Sequence, residues 1–377
     1  MNTSLEVEYW VVTDDGDLAP PNELLDLADW VDPEFVEPMI EIKTDPCPSM
    51  ADLREQLAAR IDRAVDAARE EGKRLVPLAT PLDAAPSDLP YREKRSTDLQ
   101  RRIVGPTFDD ARFCAGTHVH FEQSSVVDQL NALTALDPAF ALVSSSAYHR
   151  SERLFECARP YLYRRCCYAP APDQGQLWPY VDDVDEWEAR LDRAYDRFRD
   201  RALERGVDAS TFDDQFGPYD AVWSPVRLRE KFPTVEWRSP DAALPSQVLD
   251  LTERVREIVV RADEFGTTVK ANGWATDVGA RPGTGNGRGS GPASTARPVT
   301  LPEFETVERI VDVAMRDGVD NHRVCHYLRG MDVDPTAFDP LAGAVTEPRL
   351  SSDRARTLRL RAADRLEADL ERTRVRA

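Results

Sequence analysis

Four short stretches of this chain set acidic, imidazole or guanidinium side chains two residues apart. They are Glu6 and Glu8 in SLEVEYWVV, Glu37, Met39 and Glu41 in EPMIEIKT, His118 and His120 in GTHVHFE, and Glu236 with Arg238 in PTVEWRSPD. Side chains at i and i+2 of a strand point to the same face. Glu6 and Glu8 therefore share a face, with Leu5, Val7 and Tyr9 on the other. Glu41 lies with Met39 and Glu37, opposite Ile40 and Ile42. His118, His120 and Glu122 oppose Val119 and Phe121, and Glu236 with Arg238 opposes Val235 and Trp237. Any one of these stretches alone reads as the solvated outer face of a half-buried sheet. If all four lie in one sheet, a dense set of carboxylates and two histidines converges on one surface. Like charge at that density is costly unless cations are bound. Hard divalent ions with oxygen ligands, Mg²⁺ or Mn²⁺, meet that need, and Arg238 adds a planar complement to phosphate. His118 and His120 alone would also suit zinc in a hydrolase. Carboxylates outnumber imidazoles, however, and favour a hard ion carrying phosphates.

The elements that must position these residues are readable from periodicity. Residues 4–12 alternate and are rich in Val, Tyr and Trp, which predicts a strand. A second extended segment runs over 35–44 and stops at Pro46-Cys47-Pro48. Leu53, Leu57, Ile61 and Val65 then recur every four residues behind a Ser49/Asp52 cap, which predicts a helix to about Glu71, ended by Gly72. Short strands are expected at 74–79, 116–123 and 234–238, and helices at 127–148, 184–205, 246–265, 303–317 and 351–375. The stretch 279–292 has six glycines in fourteen residues and lacks the Gly-Lys-Ser/Thr ending of a phosphate loop, so 279–299 is expected to be a mobile loop. Irregular alternation of strands and helices points to an α+β fold with a mainly antiparallel sheet. No internal repeat or linker divides the chain, and 1–377 is expected to be one catalytic domain with a helical segment at 303–377.

Composition narrows the function. Acids outnumber bases 68 to 48, a net charge of -20. Such a surface repels phosphate backbones and excludes ordinary nucleic-acid binding. Among the bases only Lys43, Lys73, Lys94, Lys231 and Lys270 are lysines. Acid excess of this size is a lever that halophiles use, and a salt-loving cell is the expected source. No apolar run is long enough to span a bilayer. The first residues lack the basic and apolar regions of a secretory signal, so a cytoplasmic protein is expected. The six cysteines form no CxxC pair and are expected reduced.

The four stretches, in order and at their spacing, resemble the type 2 glutamate–cysteine ligases and their carboxylate–amine ligase relatives. The likeness runs from residue 4 to about 280 and includes ANGWATDVG at 271–279. It implies a glutamine synthetase-like catalytic fold, a curved antiparallel sheet around ATP and Mg²⁺, flanked by helices. It implies a ligase joining the γ-carboxylate of glutamate to the amine of cysteine, through a γ-glutamyl phosphate. By the resemblance, Glu6, Glu8, Glu41, Glu236 and His118 bind metal. His118, Arg238, Lys270 and Asn272 meet ATP, and Glu236 and Arg238 carry the chemistry. One of Arg150, Arg153 and Arg159 would hold glutamate, since 144–159 matches the family's helix only loosely. Ser4 and Glu122 depart from the family's small residues. Partners would be small molecules (glutamate, cysteine and ATP) rather than nucleic acid or membrane, and self-association stays open. The rival readings are a sister ligase with another amine, a metal-dependent hydrolase built on His118 and His120, and a non-enzymatic acidic binding protein.

Overall fold

The computed structural model describes residues 1–270 and 297–376. Asn272 and the glycine-rich stretch up to residue 296 lie outside the described residues. Strands are numbered in chain order: β1 (Thr3–Thr13), β2 (Val31–Pro33), β3 (Met39–Lys43), β4 (Lys73–Val76), β5 (Thr117–Glu122), β6 (Tyr148–His149), β7 (Glu152–Arg153), β8 (Val226–Leu228), β9 (Thr234–Trp237), β10 (Thr267–Lys270) and β11 (Val299–Pro302). Seven of them form one antiparallel sheet in the order β2-β3-β1-β5-β9-β8, with β4 also paired to β1. The long β1 organises it. One edge pairs with β3 over Glu6–Trp10, and the other with β5 over Thr3–Val7 and then with β4 over Trp10–Thr13. Two pairs stand apart, the β6–β7 hairpin and the parallel β10–β11.

The alternation read from sequence is what divides the sheet into two faces. Leu5, Val7, Tyr9, Ile40, Ile42, Val119, Phe121, Val235 and Trp237 are all fully buried on one face. The helices Met50–Glu70, Val126–Leu136 and Pro245–Phe265 cover it and extend the same core. At about 25 cal/mol per Å² of apolar surface removed from water, this layer is the main source of stability. Ser49 caps the first helix by accepting from Asp52 N, and Gly72 follows it at φ +66°.

Several boundaries differ from expectation. The segment 35–44 is a strand only from Met39, because Pro38 cannot donate to the ladder, and the separate β2 precedes it. The strand expected over 74–79 stops at Val76, before Pro77. The helix expected over 127–148 is α-helical only to Leu136 and continues as a 3₁₀ segment, Asp137–Val143. Pro138 removes the donor that would continue the ladder. The Asp137 carboxylate accepts instead from Trp237 Nε1 at 2.9 Å and Arg164 NH1 at 2.7 Å. Among the described residues no helix is long and apolar enough to cross a membrane.

Candidate active site

The opposite face of the sheet is polar, and strand register lays its residues out in rows. Asp32, Glu41 and Glu8 stand opposite one another across β2, β3 and β1. Lys43, Glu6 and His118 form the next row, across β3, β1 and β5. Ser4, His120, Glu236 and Arg227 form the third, across β1, β5, β9 and β8. Glu8, His118, His120 and Glu236 are each at most 6% exposed. This is a walled floor, not a solvated outer face. Glu122, on this face opposite Thr234, is exposed at the end of β5 and does not join the floor, and Glu37, before Pro38, is exposed outside β3.

Hydrogen bonds fix the protonation of the centre. Arg159 NH2 is 2.7 Å from His118 Nε2, and a guanidinium only donates, so that nitrogen accepts. His118 therefore carries its proton on Nδ1 and donates it to Glu6 Oε2 at 2.8 Å. Burial, reinforced by the Arg238 charge, lowers the His118 pKa to about 4 and keeps it neutral. For Glu6 burial opposes ionisation, but His118, donating to it, and the His120 ring, with Nε2 3.5 Å away, win and hold it well below the usual carboxylate range. Glu8 Oε2 accepts from Gly116 N at 2.7 Å and Arg159 NH1 at 3.0 Å. Gly116 is required for that approach: a Cβ there would lie 2.4–2.6 Å from Cδ, Nε and Cζ of Arg159.

The two ends of the face differ in charge. At one end Glu8, Glu41 and Glu34 bring oxygens within 4.8 Å of one another. Burial, and then the charge of Glu8, pushes Glu34 up to about 8; burial with Glu6 and Glu34 pushes Glu41 well above its usual range. At the other end Arg227 Nε donates to Glu236 Oε2 at 2.6 Å, with Arg229 NH1 3.7 Å and Arg238 Nε 3.5 Å from the same carboxylate. Burial resists the charge on Glu236, but Arg227 and Arg238 hold it ionised. Burial and Arg238 in turn lower Arg227 to about 10. Beside these arginines opens a cleft of about 420 Å³, lined also by Lys94, Lys231, Tyr163, Tyr168 and Trp223. Tyr163 and Trp223 stack at 4.5 Å, and the Arg238 guanidinium lies 5.7 Å above the Trp223 ring.

Glu6, Glu8, Glu41, His118, Glu236 and Arg238 are thus brought together. Of the three candidate substrate arginines, Arg159 alone reaches the face, and its donors go to Glu8, His118 and the Arg238 carbonyl. Arg150 sits in the tight β6–β7 turn beside Asp110, and Arg153 pairs with Glu156. Lys270 is exposed at the end of β10, outside the seven-stranded sheet, and Asn272 lies outside the described residues. Glu34, Arg227 and Arg229 were missed. Arg227 and Arg229 do show an i, i+2 spacing, but the strand there has three residues and ends at Leu228; Glu34 follows Pro33 in a connection with no period to read.

The donor set fits hard cations. Oxygens and imidazole nitrogens gather in three groups, Glu6/His120/Glu236, Glu6/Glu41/His118 and Glu8/Glu34/Glu41. His120 Nε2 is buried without a hydrogen-bond partner, and so is Arg238 Nε, which leaves a ligand atom and a donor free on this face. With this geometry in view, the chain matches the family model for glutamate–cysteine ligase family 2 over residues 5–265, more than half its length. It belongs to that family. No curated protein matches the chain. Among solved structures it is similar to a bifunctional glutathione synthetase from Pasteurella multocida (14% identity, TM-score 0.59, 98% of this chain and 52% of that one). It is also similar to a glutamate–cysteine ligase from Francisella tularensis, solved in complex with AMP (12% identity, TM-score 0.58, 99% of this chain and 91% of that one). The chain spans about half the length of the Pasteurella protein, and at these identities the likeness is one of fold.

Proposed function

We propose that this protein is an ATP-dependent glutamate–cysteine ligase. The observation that carries the reading is a single buried face on which four carboxylates and two histidines adjoin three guanidiniums at the mouth of an aromatic cleft. An oxygen of the glutamate γ-carboxylate attacks the γ-phosphorus of ATP, and ADP leaves with the bridging oxygen. The cysteine nitrogen then attacks the acyl carbon, phosphate departs and the nitrogen loses a proton. Neither step needs a protein nucleophile, so the enzyme's part is positioning and charge neutralisation. Glu6, Glu8, Glu34, Glu41, Glu236, His118 and His120 would hold Mg²⁺, with Mn²⁺ a permissible substitute, and the metal would neutralise phosphate oxygens. Arg238 and Arg229 face the transferred group. Arg227 fixes Glu236, and Arg159 holds Glu8 and the His118 tautomer. Lys270 and Asn272 are proposed on the family resemblance alone to border the nucleotide. A cytoplasmic setting at high salt accords with the acidic composition.

The deciding assay is phosphate release from ATP with glutamate, with and without each of a panel of amines, in molar KCl. Release that depends on glutamate and is largest with cysteine supports the reading. Equal or greater release with another amine makes the chain a sister ligase. No glutamate-dependent release overturns it.

A further inference from the structure

A second cavity, of about 330 Å³, lies away from the acidic face, between the C-terminal helix Ser352–Arg376 and the segment 145–148. Its size falls within the range of about 300–1,000 Å³ typical of small-molecule sites. Its walls are mainly apolar, contributed by Leu78, Leu82, Ala147, Leu341, Leu358 and Ala362, with Ser145, Ser146 and Tyr148 beside them. Its rim carries three guanidiniums, those of Arg354, Arg361 and Arg365. The helix period explains the arrangement: positions 354, 358, 361, 362 and 365 recur on one side of the helix.

Two observations mark this as a site and not a packing flaw. The first is charge. In a chain with 20 more acids than bases, the neighbouring arginines of this helix are spent, Arg354 on Glu347, Arg356 on Asp17 and Arg359 on Asp83. Arg361 and Arg365, one turn apart at the cavity mouth, have no ion pair among the described residues. The second is backbone conformation. Leu82 lines the wall at φ +74°, a region that L side chains rarely adopt, and its carbonyl accepts from Ser151 N, itself at φ +74°. The floor is also tied to the acidic face. Ser145 N donates to Asp241 Oδ2 at 3.2 Å, and the other oxygen of that carboxylate accepts from Arg159 N at 2.8 Å.

We propose that this cavity binds a small amphipathic carboxylate, with an aliphatic body among the leucines and an anionic end at Arg361 and Arg365. Arginine is suited to the head because its planar fork matches a carboxylate, and the leucines and alanines offer the rest of the ligand chiefly apolar contact. The proposal is independent of the ligase reading, since its test uses neither ATP nor glutamate.

The test is isothermal titration of the full chain with octanoate, hexanoate and octanol. Octanoate should bind saturably at one per chain. Hexanoate should bind more weakly by about fourfold for each methylene removed. Octanol, and octanoate against the R361Q/R365Q double variant, should each lose about tenfold, the loss expected for about 1.4 kcal/mol. Both arginines are exposed, so the double variant should fold normally. Ala344→Trp, at an exposed rim position, should block the cavity and abolish binding while leaving the melting curve unchanged. Heat no larger than dilution, equal affinity for octanol and octanoate, or undiminished binding by Ala344→Trp overturns the proposal.

Discussion

Glu34 and Glu41 are carboxyls whose surroundings resist ionisation, first by burial and then by the charges of Glu8 and Glu6 respectively. Without metal these surroundings favour the protonated form of Glu41. Glu41→Gln copies that protonated form, so the metal-free variant should melt at or above the parent temperature while ligase activity falls by about 10²–10³. Scanning calorimetry and turnover on one preparation check this. The sign for metal follows from the same groups. A cation must displace their protons, so Mg²⁺ affinity should rise with pH through about 8, the Glu34 value. Titration calorimetry in buffers of different ionisation enthalpy should show protons released on binding at pH 7 and fewer at pH 9. Glu236 behaves oppositely. Glu236→Gln preserves shape and volume, but Arg227 is bonded to the carboxylate at 2.6 Å and only 7% exposed. Removing that charge strands a buried cation and should cost roughly 3 kcal/mol of stability, read from urea unfolding. The polar pairs were legible because strands repeat every two residues. Arg227's grip on Glu236 was not, since it depends on which strands are neighbours.

At the scale of elements, the turn into β5 does more than start a strand. Gly116 presents its N–H to Glu8 and leaves room for the Arg159 side chain. Arg159 is only 1% exposed and bonded at all three guanidinium nitrogens, so it cannot swing aside at low cost. Gly116→Ala should therefore cut activity by at least tenfold through Arg159, although no substrate contact is touched. Ser49→Ala is the matching control: loss of the cap should lower stability by about 1 kcal/mol and leave turnover per folded molecule unchanged. The long helices were legible almost to the residue, as with Val184–Glu204 and Pro245–Phe265, because their apolar stripe has a period. The helix that breaks at Pro138 was overextended because its sequence stays apolar through Val143. What stops it is a proline together with a buried aspartate that serves a strand 100 residues away, at Trp237.

For the whole molecule, charge is the dominant quantity. A net of -20 disfavours compaction by self-repulsion, and screening shortens its reach from about 10 Å at 0.1 M salt to about 3 Å at 1 M. The melting temperature should climb as KCl rises from tenths molar to molar; a flat or falling midpoint removes the inference of a salt-adapted protein. The acidic face should add to this trend, because its unneutralised carboxylates repel one another until cations arrive. At this scale the irregular alternation of strands and helices was enough to anticipate the α+β class and the antiparallel sheet. The second cavity was not legible, because its walls come from segments near residues 80, 146, 342 and 360 that share no pattern.

The register of the central strands also sets a timetable. Glu6 stands opposite His118, and His120 opposite Glu236, so each row closes only over a loop of more than one hundred residues. Long closures of this kind slow folding, and during synthesis they impose waiting. When β1 leaves the ribosome the Thr3–Val7 part of its edge has no partner, and it stays unpaired until the chain has grown past residue 122. Glu236 arrives a further hundred residues later. A nascent chain shorter than that carries Glu6, Glu8 and Glu41, and from residue 159 Arg159, without Glu236, so the site is completed late.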